Sequence, residues 1–184
     1  PVAEQDRAQR ALDSLLAGFW SEKDQYLMTN IILKNDSDKH GPQSENSLLP
    51  FWNFAEAIHA VATGASIVSP YYMEPLQRMI EGQVAQGGRQ GGTGKDGWTR
   101  TFIDDMNWAV LALISAYDVT QNASHLATAR SIFQTKIQTE WDTTLCGGGV
   151  FWDTRRSQKA TASNAGPAMA GALLASRMSA TTPE

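Results

Sequence analysis

Six helical segments can be read along this chain, and their order constrains the fold more than any single one of them. The first runs from about Ala3 to Phe19. Its apolar residues Ala8, Ala11, Leu12, Leu15 and Phe19 recur at helical spacing, with Glu4, Arg7, Arg10 and Asp13 on the other face. The third, from about Tyr71 to Gln86, carries the stripe Tyr72, Leu76, Met79, Ile80 and Val84. The fifth, from about Ser124 to Gln138, carries Leu126, Ala129, Phe133 and Ile137. The segments between them are different in kind. The second begins near Pro50 and is apolar over most of its circumference up to Gly64, which reads as its stop. The fourth, from about Thr101 to Val119, is apolar at nearly every position between Trp108 and Tyr117. The sixth, from about Asn164 to Met178, is small and apolar throughout. A helix that is apolar all round must be covered on every side. Alternation of amphipathic and all-round apolar helices is what two concentric rings produce, with helices two, four and six inside. The expected class is all-α, an α/α toroid; an irregular helical bundle is the alternative.

In such a toroid, consecutive helices run antiparallel, so the inner helices are parallel to one another and their N-termini open on one face. That face would collect Trp52 and Asn53, Asp104 and Asp105, and Ser163 and Asn164. Unpaired N–H groups at helix N-termini favour carboxylates there. The polar stretch Asn35 to Ser47 and the glycine-rich stretch Gly87 to Gly97 read as loops.

Composition narrows the function. At 184 residues the chain is long enough for one domain with a real core, here taken as residues 1–184. A net charge of −4 and the lack of a dense Lys/Arg run give no reason to propose nucleic acid or an anionic membrane as partner. No apolar stretch approaches the roughly 18 residues that a membrane span needs. With no signal peptide at Pro1, the chain reads as a mature form or a cloned piece. The single cysteine, Cys146, excludes an internal disulfide framework and a CxxC zinc site, and would be unusual unpaired in a secreted protein. His40, His59 and His125 show no metal-ligand spacing, His59 reads as a hydrogen-bonded core residue, and Gly147-Gly148-Gly149 lacks the features of a phosphate loop. No metal or cofactor is expected. Asn35-Asp36-Ser37 and Asn122-Ala123-Ser124 match the N-glycosylation pattern, a triplet frequent by chance.

The sharpest chemical feature is the adjacent pair Asp104-Asp105. Glycoside hydrolysis uses two carboxyl groups, about 5–5.5 Å apart in retaining enzymes and about 6.5–9.5 Å apart in inverting ones. Adjacent residues have Cα atoms ~3.8 Å apart, so their carboxyls reach the shorter separation easily. Two carboxylates that close do not both ionise readily, which keeps a proton available on one. A purely structural reading competes: Thr101 as N-cap with Asp104 three residues on also fits a capping box. Trp98, Trp108, Trp141, Phe151 and Trp152 offer flat faces on which sugar rings can stack, although Trp108 fits core packing as well.

The string Ile103-Asp104-Asp105-Met106-Asn107-Trp108-Ala109, running into Ala112-Leu113 and Ala116-Tyr117-Asp118-Val119-Thr120, resembles the motif of glycoside hydrolase family 76. The resemblance continues through His125-Leu126, Ala129 and Ile132-Phe133, then Trp141-Asp142, Cys146 to Gly149, Trp152, Lys159 and Ser163-Asn164, with Trp52 and Ala55 upstream. It spans about Phe51 to Leu174. It implies an (α/α)6 barrel of six helical hairpins, of which this chain supplies about half. It also implies endo-acting hydrolysis of α-1,6-mannan with retention, with Asp104 as nucleophile and Asp105 as general acid/base. Trp52, Asn53, Trp108, Trp152, Lys159 and Asn164 are the expected substrate-binding residues, and secretion or association with the cell wall the expected location.

Six helices are half of twelve. The expectation is therefore the N-terminal half of a longer chain, or a barrel completed by a second chain; alone, the segment should be poorly stable or should associate. Three alternatives to the mannanase are a mannan or membrane-anchor glycan transglycosylase of the same family, a noncatalytic glycan-binding protein on the same fold, and another α/α toroid enzyme such as an epimerase or lyase.

Overall fold

The computed structural model describes residues 2–29, 47–86 and 97–179. The Asn35 triplet and most of both expected loops lie outside the described residues. Among the described residues six α-helices carry the fold: α1 (Val2–Phe19), α2 (Phe51–Ile67), α3 (Met73–Gln86), α4 (Ile103–Thr120), α5 (Ala123–Ile132) and α6 (Ala162–Ser179). A two-stranded antiparallel ribbon, β1 (Trp20–Ser21) and β2 (Tyr26–Leu27), follows α1. Helices α2, α4 and α6 lie side by side as the inner layer, with α1, α3 and α5 against their outer side. This is the toroidal arrangement expected from the alternation.

Two contacts show that α4 and α6 run parallel and in register. Near their N-terminal ends Asn107 packs on Gly166; near their C-terminal ends Arg177 donates from Nε to Asp118 Oδ1 at 2.7 Å. The two contacts are separated by the same number of residues on both helices. Gly166 is required by this approach, because an added Cβ would stand 2.2 Å from Asn107 Nδ2, and Asn107 is buried with little room to retreat. Gly166→Ala is expected to destabilise the fold by about 2–3 kcal/mol, read from denaturant unfolding.

The core sits between α2, α3 and α4. Phe54, Ile58, Leu76, Met79, Ile103, Met106 and Leu113 are fully or almost fully buried there, each contributing roughly 1.5–3 kcal/mol relative to exposure. Tyr26 of β2 stacks on Phe54 with ring centroids 3.6 Å apart, which brings the small ribbon into the core.

Four details depart from the sequence reading. Gly64 does not stop α2, which continues to Ile67. The glycine instead admits α1, since a Cβ there would lie 2.4 Å from Leu12 Cδ1. The fifth helix ends its α-turns at Ile132 and widens into a π-turn at Phe133–Ile137, then tightens to a 3-10 turn at Gln138–Glu140. Helix α6 is not covered on every side: Ser163, Pro167, Ala170 and Leu174 are buried, whereas Ala165, Ala168, Ala172 and Ala175 are exposed. Its small side chains carry little apolar area, so the exposure costs less than bare leucines would. His59 is half-buried beside Glu56 and Trp108 rather than in the core.

Candidate active site

Helix α4 begins in an unusual way. Its N-cap is Phe102, in an extended conformation with no side-chain cap. The capping box expected from Thr101 and Asp104 is therefore absent. Thr101 uses its carbonyl to accept from Thr154 N at 3.0 Å. The first helical N–H, on Ile103, donates to the Trp152 carbonyl at 2.8 Å. A segment remote in sequence thus provides what a local cap usually provides.

That arrangement leaves Asp104 available. Its Oδ1 accepts from Asp105 N at 3.1 Å, and its Oδ2 accepts from the Trp152 indole Nε1 at 3.0 Å. Both carboxylate oxygens are thereby oriented, each with lone-pair capacity to spare. Trp152 is itself held against Phe102, ring centroids 4.7 Å apart. The neighbouring carboxyl, Asp105, is half-buried. Burial first, and then the negative charge of Asp104, push its pKa up to about 6, while the Arg100 guanidinium opposes the rise. One carboxyl is fixed by N–H donors, and the next holds its proton into the mildly acidic range.

A stability prediction follows from linkage. The folded state holds the Asp105 proton more tightly than the unfolded state, whose reference is 3.8. The associated stabilisation is complete below that reference and is lost as pH rises through about 6. The full shift corresponds to roughly 3 kcal/mol, and solvent screening at a half-buried site leaves about 1–2 kcal/mol. Asp105→Asn should therefore be more stable than the parent by about 1–2 kcal/mol at pH 7.5 and lose that advantage by pH 4, measured as unfolding free energy across pH.

The loop that presents Trp152 is braced from below. Asn164, near the start of α6, accepts from Val150 N at 2.8 Å and donates to the Val150 and Ala160 carbonyls at 3.1 and 2.8 Å. Lys159 Nζ donates to Asp142 Oδ2 at 2.7 Å and to the carbonyls of Asp142 and Leu145 at 3.1 and 2.6 Å. Every N–H of these two side-chain groups is committed to the protein, so their geometry positions the loop rather than offering donors to a sugar. The Asp142 carboxyl is held well below the usual range, chiefly by Lys159. Gly149 takes φ 128°, and an added Cβ there would stand 2.8 Å from Asn164 Oδ1, so only glycine fits the turn.

The other anticipated residues divide. Trp52 is exposed in the first turn of α2, with Asn53 half-buried beside it. This end of α2 lies by the start of α4, since Phe51 contacts Arg100. Trp108, one turn below Asp104, is half-buried and lines a groove with Glu56, His59 and Ala60 of α2. Trp98 and Phe151 are buried and present no face for stacking. Trp141 is exposed, at the rim of a cavity of about 390 Å³ with Phe133 and Pro167. Arg100 was not singled out from the sequence: a lone arginine before an Asp pair carries no signal that it will be buried.

The match to known proteins agrees with this geometry. The family model for Glycosyl hydrolase family 76 matches residues 6–182. No curated protein matches the sequence. Among solved structures, an inactive variant of an α-1,6-mannanase from a Salegentibacter species, in complex with α-1,6-mannotetrose, superposes with a TM-score of 0.76 at 16% identity, over 95% of this chain and 46% of its own. A protein from Listeria innocua gives 0.70 at 22% identity, over 95% and 47%. A family 76 glycoside hydrolase (mannosidase) from Bacteroides thetaiotaomicron gives 0.66 at 21% identity, over 95% and 48%. The chain thus spans about half the length of these solved relatives. With a family model covering nearly the whole sequence and an oriented Asp-Asp pair at the start of an inner helix, the chain belongs to glycoside hydrolase family 76.

Proposed function

We propose that this chain carries the catalytic carboxylates of a glycoside hydrolase that cleaves α-1,6-mannan with retention of configuration. The observation that carries the reading is the unlike treatment of two adjacent carboxyls: Asp104 accepts the Trp152 N–H, while Asp105 keeps its proton up to about pH 6. In the first step Asp104 attacks the anomeric carbon, the glycosidic C–O bond breaks, and the Asp105 proton passes to the departing oxygen. In the second, Asp105 takes a proton from water as its oxygen attacks the same carbon, and the Asp104 ester is released. The inactive Salegentibacter mannanase variant has two adjacent aspartates replaced by alanine and is bound to α-1,6-mannotetrose, which supports both the pair and the substrate class.

Trp52 and Trp108 are the proposed sugar-facing aromatics, with Asn53 beside them, because they are exposed or half-buried on the helices that flank the pair. The test is digestion of linear α-1,6-mannan by the natural protein carrying this sequence, followed by proton NMR of the first-formed products. Oligosaccharides with the α-anomer appearing first are the expected result; the β-anomer first would rule out the two-step route. Unchanged polymer would leave the glycan-binding alternative in its place.

A further inference from the structure

A groove of about 500 Å³ runs between α1 and α3, within the roughly 300–1,000 Å³ of small-molecule sites. Its lining comes from α1, the ribbon that follows it and the stretch from Ser69 to Arg78. No residue of α2, α4 or α6 lines it, so it is separate from the carboxylate pair. Tyr71 stands at its rim, 71% exposed on a 3-10 turn (Pro70–Tyr72). Ser69 caps that turn, its Oγ accepting from Tyr71 N at 3.2 Å, and Pro70 opens it, so a stiff piece of backbone presents the ring. Tyr71 meets Tyr72 edge to face, centroids 5.5 Å apart. The Tyr72 hydroxyl donates to Asp13 Oδ1 at 2.8 Å, and Asp13 Oδ2 makes no hydrogen bond among the described residues. Arg78 lies over the Trp20 ring, Cζ 5.0 Å from its centroid. It pairs with Glu22 through Nη2 and with Glu74 through Nε, the latter at 3.7 Å. Its Nη1 makes no hydrogen bond among the described residues.

We propose that this groove is a second glycan-binding site, outside the active site, that takes a neutral mannose unit of the substrate chain. A sugar ring offers C–H groups to an aromatic face and hydroxyls that both donate and accept. Tyr71 supplies the face, Asp13 Oδ2 an acceptor and Arg78 Nη1 a donor, the last two charge-assisted. The charges disfavour other small ligands. An anion would meet Asp13, Glu22 and Glu74 together. A cation would enter beside Arg78, which already meets two of those three carboxylates. A polyol needs no countercharge and uses both kinds of free group. The stiff turn and the paired Arg78 are set before binding, so little ordering remains to be done. The choice of a mannose-based ligand rests on the function proposed above. On the outer layer such a site would tether a polymer and raise its effective concentration at the carboxylates.

The test follows the indole N–H resonances of the natural protein, labelled with nitrogen-15 tryptophan, as α-1,6-mannotriose is added. Trp20 lines the groove and Trp152 bonds Asp104, so the two signals report the two sites separately. Each is assigned by its loss in Trp20→Phe or Trp152→Phe. The expected result is a saturable shift of the Trp20 signal with its own midpoint. Tyr71→Ala, which removes an exposed ring and leaves the core untouched, should raise that midpoint about three- to tenfold and leave the Trp152 response unchanged. A shift at Trp20 without one at Trp152 sustains the second site while counting against the proposed active site. A shift at Trp152 alone, or at neither, overturns the second site. So does a Trp20 midpoint that Tyr71→Ala fails to move. Tetramethylammonium chloride shifting Trp20 where mannotriose does not would assign the groove to a cation and overturn the proposal equally.

Discussion

Asp105→Asn is expected to lose cleavage of α-1,6-mannan by about three orders of magnitude or more, with the fold intact. The amide is nearly isosteric with the carboxyl and has no acidic proton to give to a departing sugar oxygen. The loss should depend on the leaving group. An aryl mannoside with an acidic phenol departs without protonation, so for that substrate the first step should recover most of its rate and covalent intermediate should accumulate. Asp104→Asn should behave differently, because it removes the proposed nucleophile and no leaving group compensates. Measuring kcat/KM for mannan and for an activated aryl mannoside in both variants separates the roles. Equal recovery in both, or recovery in Asp104→Asn alone, would mean that the roles are reversed or shared. The higher stability anticipated for Asp105→Asn at neutral pH guards against reading misfolding as lost chemistry.

The second large effect is expected at Trp152. Its indole N–H lies 3.0 Å from Asp104 Oδ2, and its ring lies against Phe102. Trp152→Phe keeps an aromatic ring on Phe102 and removes the N–H. The carboxylate is then held on one oxygen only, by Asp105 N. Misorientation of a reacting group by about 1 Å can cost about 100-fold. We therefore expect kcat to fall by about 10- to 100-fold with KM changed far less. A dominant rise in KM with kcat preserved would show instead that Trp152 serves as a sugar platform. Trp52→Ala is the internal contrast, because Trp52 is exposed and among the described hydrogen bonds donates none to either carboxyl, so its effect should fall on KM.

Much of this architecture was legible from residue order. The apolar stripe of α1 and the all-round apolar run of α4 each translate into one environment, and that mapping needs only helical periodicity. The Asp-Asp pair stood out for the same reason, as an unusual local string. The departures share a cause as well. Gly64 reads as a stop from propensity alone, yet it is retained inside α2 by the approach of Leu12. Lys159 and Asn164 are expected at the sugar from the family resemblance, whereas in the structure their side-chain donors are taken up by the protein. Their partners, Asp142, Leu145 and Val150, become neighbours only once the loop between α5 and α6 folds back.

Residue order alone therefore determined the helical class, the inner and outer roles of most helices, and which two carboxyls stand side by side, because each depends on contacts within a few turns of one helix. Tertiary structure decided what those carboxyls are. Whether Asp104 caps its own helix or is held by an indole depends on Trp152, 48 residues away. Whether Asp105 keeps a proton depends on burial and on the cation at Arg100. Proton affinity and carboxylate orientation are set by fields and donors that converge in space, and no local pattern encodes that convergence.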